Sequence, residues 1–156
     1  MRSVSGRLHH VGGGPSVIAE VDQELIELLY KPPQWAVSKY PGDQARRSNY
    51  LIASRNLRLP FMEVFDQPDL QTSCARREAS THAPQVLEML NGRLTNTLAE
   101  GFALRIIAEA GSSRVQQVRC AFLLALGRAP DTDEQRAAER FLGQGSLKEF
   151  AVAMFN

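Results

Sequence analysis

Residues 93–127 run RLTNTLAEGFALRIIAEAGSSRVQQVRCAFLLALG, two apolar patterns separated by Gly111 and closed by Gly127. Leu94, Leu98, Phe102 and Ile106 recur every fourth residue, so they share one side of a helix running from about Arg93 to Ala110. Gly111 closes that helix. Ser113 and Gln116 then match the capping-box spacing, in which a hydroxyl and an amide satisfy each other's end of the unpaired backbone. The helix they open is expected to bury Val115, Val118, Phe122 and Leu126 and to end at Gly127.

Outward from this pair the helical pattern continues on both sides. Thr132 with Gln135, and Ser146 with Glu149, repeat the capping-box spacing for two further helices. Upstream, Thr81 or His82 caps a helix with Pro84 in its first turn, where the missing N–H costs little. That helix carries Val86, Leu87 and Leu90 and stops at Asn91-Gly92. The first half reads differently. Gly12-Gly13-Gly14-Pro15 favours a loop. Val21, Leu25, Leu28 and Leu29 predict a short helix from about Glu20 to Tyr30, halted by Lys31-Pro32-Pro33. Trp35 reads as the anchor of an ordered loop, and Tyr50-Leu51-Ile52 as a short strand. One helical turn is expected between Pro60 and Asp69, and loop from Gln67 to Ala75. The expected fold is therefore mainly α: a C-terminal helical bundle of about five helices, and a loop-rich N-terminal half with room for one short strand pair.

The totals agree with one domain over residues 1–156, since 44% hydrophobic and 22% charged residues are enough to build a core. A net charge of +1 gives no global field toward nucleic acid, membrane or acidic substrate. Of the 18 basic residues 15 are Arg, the residue suited to bidentate and partly buried pairing, although a GC-rich genome would give the same bias. Two cysteines, Cys74 and Cys120, are too few for a disulfide scaffold. One bridge between them would need an oxidising compartment, and two buried thiols is the preferred reading. No run approaches the roughly 20 apolar residues of a membrane span, and Met1 to Gly14 holds no apolar stretch of signal-peptide type.

Several short elements, taken in order, carry a resemblance. Val4-Ser5-Gly6-Arg7-Leu8 and Gly13-Gly14-Pro15-Ser16-Val17 come first, then Arg46-Arg47-Ser48-Asn49-Tyr50 with Arg55. Phe65-Asp66-Gln67-Pro68-Asp69 follows, then Cys74, Arg77 and Thr81 ahead of Pro84-Gln85 and Leu90-Asn91, and finally Leu124 to Pro130. Together they resemble the planctomycete-type domain of unknown function fifteen-fifty-three across almost the whole chain. The likeness implies a C-terminal module of large exported proteins, often joined to cytochrome-c-like or carbohydrate-binding-like domains. This chain has no CxxCH, so no covalent haem is expected here. Position 86 is Val where the pattern usually has Ala, a difference of packing. The likeness transfers no reaction. It also implies that the chain is the C-terminal fragment of a larger module whose partners are the upstream domains of the same protein. The final apolar run of Phe150, Val152, Met154 and Phe155 is read the same way, as a truncated end that would need its neighbour to stay soluble.

The catalytic candidates are Asp66, Asp69, Cys74 and Arg77. Two carboxylates near a thiol could bind a metal or work as an acid–base pair. The alternative, which we favour, is that Asp66 and Asp69 fix short turns and pair with Arg46, Arg47 or Arg77. Adjacent His9 and His10 cannot both face one metal from a regular element, and nothing shows that His82 meets Cys74. No GxSxG occurs, and Gly12-Gly13-Gly14 lacks the Lys-Ser/Thr ending of a phosphate loop. Neither a cofactor nor a metal site is expected. Arg46, Arg47, Arg55, Arg58, Arg76 and Arg77, with Tyr50 and Phe61 among them, form the densest basic region. Glu63, Asp66, Asp69 and Glu78 are interleaved, which favours internal ion pairs over nucleic-acid binding. The functional expectation is a structural or interaction module of a larger exported protein. The alternatives are an enzyme subdomain acting on carbohydrate or sulfated polysaccharide and, more weakly, nucleic-acid binding.

Overall fold

The computed structural model describes residues 1–29, 31, 34–68, 70–73, 75–76, 80 and 82–156. Among them are seven α-helices and no strand: α1 Gln23–Glu27, α2 Pro60–Val64, α3 Ala83–Asn91, α4 Arg93–Ala110, α5 Arg114–Leu126, α6 Thr132–Gln144 and α7 Leu147–Phe155. The mainly helical expectation holds, with five of the seven in the C-terminal part. The chain forms two compact units, residues 1–7 with 86–156, and residues 8–85.

In the helical unit, α4 lies against α5 and α7, and α5 and α6 each pack on α7. The core is built from Ala99, Phe102 and Ile106 of α4, Val118, Ala121 and Phe122 of α5, Ala138 and Leu142 of α6, and Phe150 and Ala151 of α7. Phe102 stacks on Phe155 with ring centroids 5.5 Å apart. Ala99, Ala121, Ala138 and Ala151, one on each of these four helices, let the backbones approach while the aromatic rings fill the volume between them. Gly127 ends α5 with φ 70°, the left-handed cap that glycine adopts without steric cost.

Three helix details differ from expectation. Ser113 caps α5 by position only, because its side chain accepts no cap hydrogen bond. The box that opens α6 sits one residue earlier than Thr132 and Gln135: the Asp131 carboxylate accepts from the Asp133 and Glu134 N–H groups, and Glu134 accepts from the Asp131 N–H. A carboxylate there takes two backbone donors and also favours the positive end of the helix. Ser146 and Glu149 do form the expected box on α7. On α5, Val118 and Phe122 are buried as expected, but Val115 and Leu126 are about half exposed, at 54% and 50%. Ala121 takes the inward position instead.

The second unit is held by loops more than by regular structure. The Tyr50–Ile52 segment is not a strand. It makes one parallel bridge, Leu51 with Val17, through Val17 N–H to the Tyr50 carbonyl at 2.7 Å and Ile52 N–H to the Val17 carbonyl at 2.8 Å. Trp35 is the anchor expected of it: it is buried and its indole N–H donates to the Ala19 carbonyl at 3.0 Å. Gln44 clamps three backbone groups at once, accepting from Glu20 N–H and donating to the carbonyls of Ile18 and Ser38. The first helix is shorter than its pattern predicts. No α1 residue is buried, and Leu28, just past its end, is 82% exposed. Gln85, at the start of α3, is buried and donates to the Val64 carbonyl at 3.1 Å, whereas Val86, Leu87 and Leu90, the α3 residues counted with the helical unit, are exposed.

Candidate functional site

Many of the polar side chains that stood out in the sequence lie in the 8–85 unit, and among the described ones there Arg46 is the most enclosed. It follows a 3₁₀ turn, Pro41–Ala45, and precedes a second, Ser48–Tyr50. These two turns present Arg46 and Tyr50 four residues apart on one side, so the guanidinium lies 3.9 Å from the centre of the Tyr50 ring. Its amino groups donate to the carbonyls of Gly13 and Pro15, and Asp43 sits 3.8 Å away. Tyr50 completes the contact, its hydroxyl accepting from the Gly13 N–H at 3.0 Å. Gly13 and Gly14 both have positive φ, 74° and 86°, a backbone path that side-chain-bearing residues rarely follow. The glycine loop is thus folded over a planar cation that is stacked on an aromatic ring, at only 5% exposure.

Asp66 lies at the end of α2 with φ 58°, a conformation Asp tolerates better than most residues. Its carboxylate accepts from Ser80, 2.8 Å from the N–H and 2.7 and 2.9 Å from the hydroxyl. Arg58 bridges the same segment, pairing with Glu63 at 3.0 Å and donating to the Gln67 carbonyl. The anticipated pairing of Asp66 with Arg46 does not form, because Arg46 engages Asp43 and the glycine loop. The other three candidates, Asp69, Cys74 and Arg77, lie outside the described residues, as does Thr81.

The remaining groups are placed as follows. His9 is partly buried beside Tyr40, ring centroids 5.9 Å apart, and His10 and His82 are exposed. Cys120 carries a free, partly buried thiol. Burial, and then the Glu109 carboxylate beside it, push its pKa up, which lowers the thiolate fraction a nucleophile needs. Among the described residues no group of three or more His, Cys, Asp or Glu side chains is placed to hold a metal ion. Within the same residues no helix is long and apolar enough to cross a membrane.

The helical unit holds two comparable polar contacts. Arg105 donates to the carbonyls of Ser3 and Val4 at 3.1 and 3.0 Å and pairs with Glu109, fastening the N-terminal turn along α4. Arg7 crosses α4 at Gly101, where a Cβ would stand 3.0 Å from its Cδ and closer still to its Nε. At the α5–α6 corner, Arg128 forks onto both Glu134 oxygens at 2.6 Å and lies 5.6 Å from the centre of the Phe122 ring.

Fold and site together define a mainly helical module whose short polar motifs fasten its own backbone. The chain belongs to the family described as PSD1, Protein of unknown function (DUF1553), whose profile matches residues 1–142. Neither the curated proteins nor the solved structures contain a match to it. The family reading drawn from the short motifs is therefore correct. Its separated elements turn out to meet: the Gly13–Val17 element is the one gripped by Arg46, Tyr50 and Leu51. Sequence reasoning had singled out both elements without joining them. Arg46 and Tyr50, four apart with a glycine run upstream, were the available signal.

Proposed function

We propose that this chain is a non-catalytic structural or interaction module of a larger exported protein of planctomycete type, working beside upstream domains of the same protein. The observation that carries the reading is the enclosure of Arg46, whose guanidinium grips the Gly13 and Pro15 carbonyls and stacks on Tyr50. A cation used on substrate needs donors free to reach it, and these face the protein's own backbone. Asp66 supports the same reading, with its carboxylate held by Ser80. Arg47, Arg55 and Arg76 of the basic segment are exposed, but Arg46 is buried and Arg58 is paired with Glu63, which reduces the cationic surface open to a polyanion.

The test is to incubate the chain with dextran sulfate and with an unsulfated glucan and to follow release of reducing ends. Asp66→Asn serves as the companion variant, with its thermal melt recorded. The module reading expects no release above the blank and a lower melting temperature for Asp66→Asn. Release that disappears in Asp66→Asn at an unchanged melting temperature would establish the carbohydrate-active alternative.

A further inference from the structure

We draw no further inference here: the strongest candidate, the exposed apolar patch of Val115, Leu123 and Leu126 along α5, is an unpartnered helix face, and nothing in the structure shows what covers it.

Discussion

Arg46 shows why an arginine, not simply a positive charge, is needed at a backbone latch. Lysine would keep the charge but has no planar fork to reach two carbonyls while lying flat on Tyr50. Glu134 is the clearest titrating residue. Hydrogen bonding to Arg128, then to the Asp131 backbone, holds its carboxyl at about 2, below its ordinary 4.5. A depressed carboxylate contributes stability above its unfolded-state value and loses it as the pH falls toward the folded value. The expected outcome is a melting-temperature gap between the native chain and Glu134→Gln that is constant near neutrality and closes between about pH 4.5 and pH 2. The pair is exposed, so the gap is small. A gap that widens on acidification would contradict the assignment.

At the scale of the element, the three cap positions give a graded test. Asp131→Ala and Ser146→Ala should each cost about 1 kcal/mol, the usual value of a side-chain cap, in urea unfolding followed by circular dichroism. Ser113→Ala should stay within about 0.5 kcal/mol, because no cap bond is lost. Equal costs at all three would mean that the α5 start is capped after all. The face of α5 is tested separately. Phe122→Ala should cost about 3–5 kcal/mol and Leu126→Ala much less, since one is buried and the other half exposed.

Much of this level was legible beforehand. Leu98, Phe102 and Ile106 repeat every fourth residue along a segment long enough for a helix, and Gly111 and Gly127 mark the C-terminal ends of α4 and α5 with a backbone preference of their own. The α6 cap was misread by one residue because Asp131 and Thr132 both have cap chemistry and each has a suitable residue three positions on. Periodicity also misassigned Val115 and Leu126, which it turned inward and the structure leaves half exposed. Which side of a helix is covered depends on its neighbours, and the pattern of one helix does not contain them. For the same reason the latch escaped notice: Arg46 and Gly13 are 33 residues apart and meet through irregular backbone.

At the scale of the molecule, the two units are stabilised by different means. Residues 86–156 bury a continuous apolar core behind helical hydrogen bonds, whereas residues 8–85 rest on single clamps such as Gln44, Trp35 and Arg46. Amide exchange should therefore be slowest in α4, α5 and α7 and faster through residues 8–58, where few backbone groups lie in regular ladders. Uniform protection across both units would contradict this division. Arg46 fastens the fold and, on the proposed reading, serves no ligand, a role that the thermal melt of Arg46→Lys probes. Hydrogen bonds to a charged group are worth about 1.5–3 kcal/mol, which for a chain of this size corresponds to a fall of roughly 5–9 °C. Arg46→Lys is expected to show that fall. An Arg46→Lys chain that melts with the native one, yet loses binding to a sulfated polysaccharide that the native chain holds, would contradict that role.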